Sequence, residues 1–241
     1  MPALAAAMLA AVTGAAGAHP HILADVQAEL RFDAHERIES VRSEWVFDPA
    51  FSAFAVTGLD ANLNGVLEPI ELQALAQLHV ESLADHGFLT HLVVDGIRQR
   101  LVPPTDYGFV HDGLHLTLFF VTPLERPVAI GRDAAIQVFD PDYFVGFAFA
   151  TAEHLMLRDA PPGCAASHHP PRGVDAATMA ALVALPASQR ALPPDLATFA
   201  GNLADTLTIA CPTRVERQAP PPAGARSPAV RRLFDLPVEH R

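Results

Sequence analysis

The sequence predicts an α+β fold, mostly antiparallel, with a helix-loop-helix inserted between two groups of strands and a helical, disulfide-tied C-terminal part. Three observations carry this. Several short runs alternate apolar with polar residues, the period of a strand that buries one face. Pro69 to His86 changes to helical spacing, and Cys164 and Cys211 bracket a late Pro-rich stretch with helical pieces.

The first strand is expected over Ala24 to Phe32, with Val26, Ala28, Leu30 and Phe32 on one face. A second runs to Phe47 after the polar Asp33 to Arg37 turn and puts Val41, Ser43, Trp45 and Phe47 on one side, so the two form a hairpin. Asp48-Pro49 interrupts, and Phe51 to Val56 reads as a short helix. The longer helix from Pro69 carries Leu72, Leu75, Ala76 and Leu83 at helical spacing and is closed by Gly87. Strands resume at Leu89 to Val94 and Arg98 to Val102 around Asp95-Gly96, and at Tyr107 to His111 and Leu114 to Val121 around Asp112-Gly113. Asp-Gly is a strong signal for a two-residue hairpin turn. Further strands are expected at Ala135 to Phe139, Tyr143 to Ala150 and His154 to Arg158, helical pieces near Ala176 to Leu185 and Asp195 to Leu203, and a last strand at Thr206 to Cys211.

The organisation follows. Residues 1–18 hold no charge and close in Ala16-Gly17-Ala18, which reads as a cleaved signal peptide without a basic n-region. Residues 19–159 form a β-rich domain with residues 51–86 inserted, and residues 160–212 are the helical and loop end of the same domain. Residues 213–241 read as a disordered basic tail rich in Pro, Ala and Arg. Six of the sixteen basic residues and three of the twenty-seven acids fall in that tail, which leaves ten against twenty-four, or −14, in the rest. Such an acidic body argues against nucleic acid and suits cations. Export makes Cys164 and Cys211 a candidate disulfide; the alternative is two buried free thiols.

One loop carries chemistry. From Asp60 to Glu71, side-chain oxygens stand at loop positions 1, 3, 5, 9 and 12, with Gly65 at position 6 and Leu67 at position 8. This is the EF-hand-like spacing. Asp60, Asn62 and Asn64 would supply side-chain oxygens to Ca2+, Val66 its carbonyl, Glu68 a direct or water-mediated contact and Glu71 two oxygens at once. Asn at two positions and the lack of a second loop predict weak affinity, and the competing reading is a polar Asx-turn loop.

Twelve histidines occur with no lysine. After cleavage the chain would begin His19-Pro20-His21, whose amine and imidazoles could hold Ni2+, Cu2+ or Zn2+; a solvated terminus is the competing reading. Pro20 lacks an amide hydrogen, which excludes the square-planar motif built on successive deprotonated amides. If Asp112-Gly113 is the turn, His111 faces Leu114 and His115 faces Val110 on opposite sides of the hairpin, so they do not chelate. His79 and His86 fall on the apolar side of the helix and read as packing, and His168-His169 falls in a Pro-rich loop. No G-x-S-x-G, H-E-x-x-H or P-loop is present, so no enzyme is predicted.

His19-Pro20-His21-Ile22, Trp45-Val46-Phe47-Asp48, Phe51-Ser52-Ala53-Phe54, the loop from Asp60 to Glu71, Pro103-Pro104-Thr105-Asp106-Tyr107 and Asp140-Pro141-Asp142-Tyr143-Phe144 occur in that order. Together they resemble the bacterial domain of unknown function 1007 family over His19 to Pro212. That family is often described as the periplasmic component of an uncharacterised ABC-type transport system. The resemblance implies a periplasmic location and a link to nickel, cobalt or zinc transport, with a membrane metal transporter as partner, and it assigns no site residue. Two functions are therefore expected: a periplasmic metal-handling accessory with His19 and His21 as its transition-metal site, or a calcium-stabilised interaction module with no transported ligand.

Overall fold

The computed structural model describes residues 20–212, apart from 187, 190 and 198. The expected leader, His19 and the basic tail lie outside the described residues. Strands β1 (Ile22–Phe32) and β2 (Arg37–Phe47) form the expected hairpin, in register from Ala24 opposite Phe47 to Leu30 opposite Val41. Asp33 builds the turn, accepting from the amides of His35 and Arg37 while the Arg37 guanidinium pairs with its carboxylate. A short helix α1 (Pro49–Ala55) and a long one α2 (Pro69–Ala84) follow. Then come β3 (Thr90–Val94), β4 (Ile97–Arg98), β5 (Asp106–His111), β6 (Leu116–Ala129), β7 (Asp133–Val138), β8 (Val145–Ala148) and β9 (Leu155–Arg158). The C-terminal part holds β10 (Ala165–His169), α3 (Ala176–Val183), α4 (Pro194–Ala197), a 3-10 turn at Ala200–Leu203 and β11 (Thr206–Ala210).

Two sheets share one core. The six-stranded sheet runs β5-β6-β2-β1, with β8 and then β9 pairing parallel along the outer edge of β1. The five-stranded sheet runs β10-β11-β7-β3-β4. Val26, Leu30, Trp45, Leu118 and Phe120 from the first and Leu92, Ile136, Leu207 and Ile209 from the second belong to a single buried cluster. Its aromatic centre is Trp45, with Phe120 edge-on at 4.9 Å and Phe147 at 4.7 Å. Leu72, Ala76 and Val80 of α2 enter the same cluster and α2 lies on β5, while Leu182, Leu192 and Leu196 make a second, small cluster in the C-terminal part.

The Asp95-Gly96 turn is the expected two-residue hairpin: both residues have positive φ, 50° and 79°, as a type I′ turn demands. Asp112-Gly113 is not a two-residue turn. His111 pairs with Leu116, so residues 112–115 all lie in the loop, because the Asp112 carboxylate accepts from the amides of Leu114 and His115 and holds a wider Asx turn. The residues opposite His111 and Val110 are therefore Leu116 and Thr117. The C-terminal part mixes strands with short helices. Its His168-His169 pair sits in β10 rather than in a loop, since β10 finds five partners along β11 beside the Cys164–Cys211 disulfide.

Candidate functional site

The insertion is pinned where the chain enters it. Asp48 caps α1, accepting from the amides of Ala50 and Phe51, and its other oxygen accepts from Leu23 N at 2.9 Å, which joins the helix to β1. Burial pushes this carboxyl up, but the amides of Leu23, Phe51 and Ala50 outweigh it and hold the group below its ordinary range. Ser52, fully buried, donates to the Asp48 carbonyl at 2.7 Å, with the Phe47 carbonyl at 3.2 Å as its alternative acceptor, and accepts from Leu116 N at 2.9 Å. The chain then leaves the helix at Ala55, turns through residues 56–59, and reaches Asp60 already outside the helix.

From Asp60 the loop folds on its own donors. Gly65 N donates to Asp60 Oδ2 at 2.9 Å and Asn64 N to Asp60 Oδ1 at 3.1 Å, so position 1 reaches across to positions 5 and 6. Gly65 has φ 81°, a conformation only glycine adopts cheaply, and the sharp bend depends on it. Asn62 Oδ1 accepts from Asn64 N and Asn64 Oδ1 from Val66 N, while both Asn amides donate to the two oxygens of Glu68. Glu71, in the first turn of α2, closes the ring: Oε1 accepts from Ala61 N at 2.8 Å and Oε2 from Glu68 N at 3.0 Å. The Glu68 and Ala61 amides that donate to it keep the Glu71 carboxyl below its usual value. Leu67 packs against the main core.

Position by position, the carboxylates expected to hold calcium thus each accept loop amides. Among the described residues, no three His, Cys, Asp or Glu side chains come together as a metal-holding group. His21 is exposed just ahead of β1, its ring 4.8 Å from that of Phe144 and its amide donating to Phe144 O. His79 is half-buried, donates from Nδ1 to Leu75 O and sets its ring edge-on to Phe109 at 5.2 Å, the packing role expected of it. His111 Nδ1 accepts from Gly113 N, and His115 faces Asp112.

The sequence did not suggest a second polar centre, on the outer face of the five-stranded sheet. A cleft of about 300 Å³ is lined there by His91, Gln137, Arg172, Asn202 and Thr206, among others. His91 stacks on Phe139 with centroids 3.9 Å apart; burial, and then the Arg98 charge, lower it to about 4, so it is neutral at pH 7. Gln137 Nε2 donates to Thr206 Oγ1 and to Gly201 O; outside this cleft, Asp205 accepts from Phe149 N and meets His168 Nε2 at 2.7 Å. The row is assembled by register, His91 beside Gln137, and register across distant strands leaves no local signal in sequence.

The family model described as Protein of unknown function (DUF1007) matches residues 4–211. The chain belongs to this family. The match takes in both sheets, the insertion and the disulfide, so the architecture above is that of the matched region. No curated protein and no solved structure matches the chain. Among the described residues, no helix is long and apolar enough to cross a membrane.

Proposed function

We propose that the protein is a calcium-stabilised interaction module, exported to the periplasm, that serves as an accessory to a metal-transport system. The observation that carries this is Leu63. It stands 87% exposed at the middle of the Asp60–Glu71 loop, in a left-handed conformation (φ 59°) that Asn or Gly would adopt at less cost. We read this apolar side chain, held out to solvent, as part of a contact surface, and Phe54 (78% exposed) and Val66 accompany it on the same insertion.

Calcium is the proposed stabiliser because the donors stand at the six positions such a loop uses: Asp60, Asn62, Asn64, the Val66 carbonyl, Glu68 and Glu71. The incoming helix ends before the loop, so the proposal is an EF-hand-like loop followed by one helix. The disulfide supports an oxidising compartment and the uncharged apolar leader supports export. The transport link rests on the family resemblance. A transition-metal site for Ni2+, Cu2+ or Zn2+ at His19 and His21 is the second reading, favoured by the exposure of His21.

Thermal unfolding in calcium, in magnesium and in chelator tests the calcium reading. Three carboxylates and two neutral amides suggest a dissociation constant of about 0.1 to 1 mM. At 10 mM calcium the tighter limit adds roughly 2.7 kcal/mol, which is about 5 to 10 °C in Tm for a domain of this size. Glu71→Gln removes most of the rise. No rise up to 10 mM, or the same rise with magnesium, overturns the calcium reading.

A further inference from the structure

Helix α2 carries two apolar stripes. Leu72, Ala76 and Val80 enter the core; Ile70, Ala74 and Leu78, two residues out of phase and so on the opposite side, face solvent, with Ile70 82% and Leu78 63% exposed. The outer stripe is about 12 Å long. The charges that the helix itself carries are acidic: no Lys or Arg occurs between Arg42 and Arg98 along the chain, and Glu81 and Asp85 are exposed, while Arg98 and Arg100 line a cleft with Ala84 beyond the C-terminal end of the stripe. An uncovered apolar stripe on a helix whose own charges are acidic fits a short, basic, amphipathic segment packed against it side by side.

The chain itself contains one. Between Pro228 and Pro237, Val230, Leu233 and Phe234 stand at i, i+3 and i+4, with Arg231 and Arg232 between them. We propose that residues 229–236 dock in cis on the Ile70–Leu78 stripe of α2. Reach is sufficient, because the eighteen residues from Pro212 to Val230 span at most about 60 Å, while a domain of this size has a radius of gyration of about 16 Å. Other occupants fit less well. A second copy would bring together two acidic bodies of −14, an anionic membrane is repelled by the same charge, and the uncharged Met1–Ala18 leader offers no electrostatic match. The proposal rests on reading the insertion as an interaction surface and names what it binds.

The test is limited trypsin digestion of the full chain, followed by intact mass. Cleavage at Arg217–Gln218 and at Arg232–Leu233 is compared, each normalised to a synthetic peptide of residues 213–241. Docking slows the Arg232 cut roughly ten-fold relative to the Arg217 cut, since cleavage follows the undocked population. Leu78→Asp and, separately, Phe234→Asp remove the protection; the second change lies in the tail and leaves the folded body untouched. Molar salt weakens the protection because part of it is electrostatic. No protection in the unaltered chain, or protection that survives both substitutions, overturns the proposal. Protection that grows with protein concentration also overturns it, in favour of pairing between copies. The digestion is run with calcium and with chelator. Protection without any calcium-dependent Tm rise removes only the calcium reading, whereas a Tm rise without protection removes only the docking.

Discussion

At His91 a single ring shows how burial is converted into acid sensitivity. The imidazole stacks on Phe139, and burial, reinforced by Arg98, depresses it from 6.5 to about 4. The unfolded chain therefore takes up the proton first as pH falls, and the stability contributed by the neutral ring, complete above pH 6.5, is lost on the way to about pH 4. His91→Phe keeps the stack and removes the proton. Its urea midpoint should fall less than the parent's between those two pH values, and parallel pH profiles would show that His91 has no part in the acid response. The window is separable from that of the carboxylates held lowest: Asp33 is brought to about 2 chiefly by the Arg37 side chain, and Asp112 to about 2 chiefly by the His115 amide. Glu29, in β1 between β2 and β9, illustrates the opposite balance of forces. Burial raises it, yet Arg31 at 2.6 Å and Arg158 at 3.0 Å together leave it below its ordinary value.

Among the elements, α1 is short and is held, beside its Asp48 cap, by one buried hydroxyl, that of Ser52. Ser52→Ala would leave Leu116 N without its partner inside the core, which costs about 1 to 3 kcal/mol, measurable as a drop in urea midpoint. Hydrogen exchange in the same variant should speed up at Leu116 and in α1 more than in β1 and β2. The Ser52 contact joins residues 64 apart, and nothing in Phe51 to Val56 announces it. By contrast, the β1–β2 hairpin was legible because Val26, Ala28, Leu30 and Phe32 repeat with period two against a core, and Asp95-Gly96 because only such residues accept two positive φ values cheaply. Asp112-Gly113 looked the same and folded differently: its Asp side chain captured two downstream amides, a choice that the dipeptide alone does not encode. The loop from Asp60 to Glu71 was legible in spacing, and its closure by Gly65 on Asp60 follows that spacing. The end of the preceding helix was legible to within a residue, Val56 expected against Ala55, but its start at Pro49 was not. Nor do Val145 to Ala148 and Leu155 to Arg158 carry any mark that both will lie parallel to β1.

For the whole molecule, the Cys164–Cys211 bond encloses the small cluster of Leu182, Leu192 and Leu196 and returns the chain to the five-stranded sheet. Replacing both cysteines with Ala should lower the unfolding free energy by about 4 kcal/mol in the chain-entropy picture. Denaturant titration would measure it, and exchange should quicken first in β10, whose strand partner in its sheet is β11. An unchanged midpoint would mean that the residues between the two cysteines are held by packing alone. The arrangement of β8 and β9 has a separate consequence, for how molecules meet one another. The free side of β1 is taken up in two short pieces, at Ile22–Asp25 and Ala28–Arg31, and the far edge of that sheet, β5, lies beneath α2. In the other sheet the margins are a two-residue β4 and a five-residue β10. Among the described residues, then, neither sheet offers a long straight row of unpaired amides onto which a stranger's backbone could add, so concentrated protein should resist fibrillar aggregation even while it displays Leu63 and Ile70 to solvent.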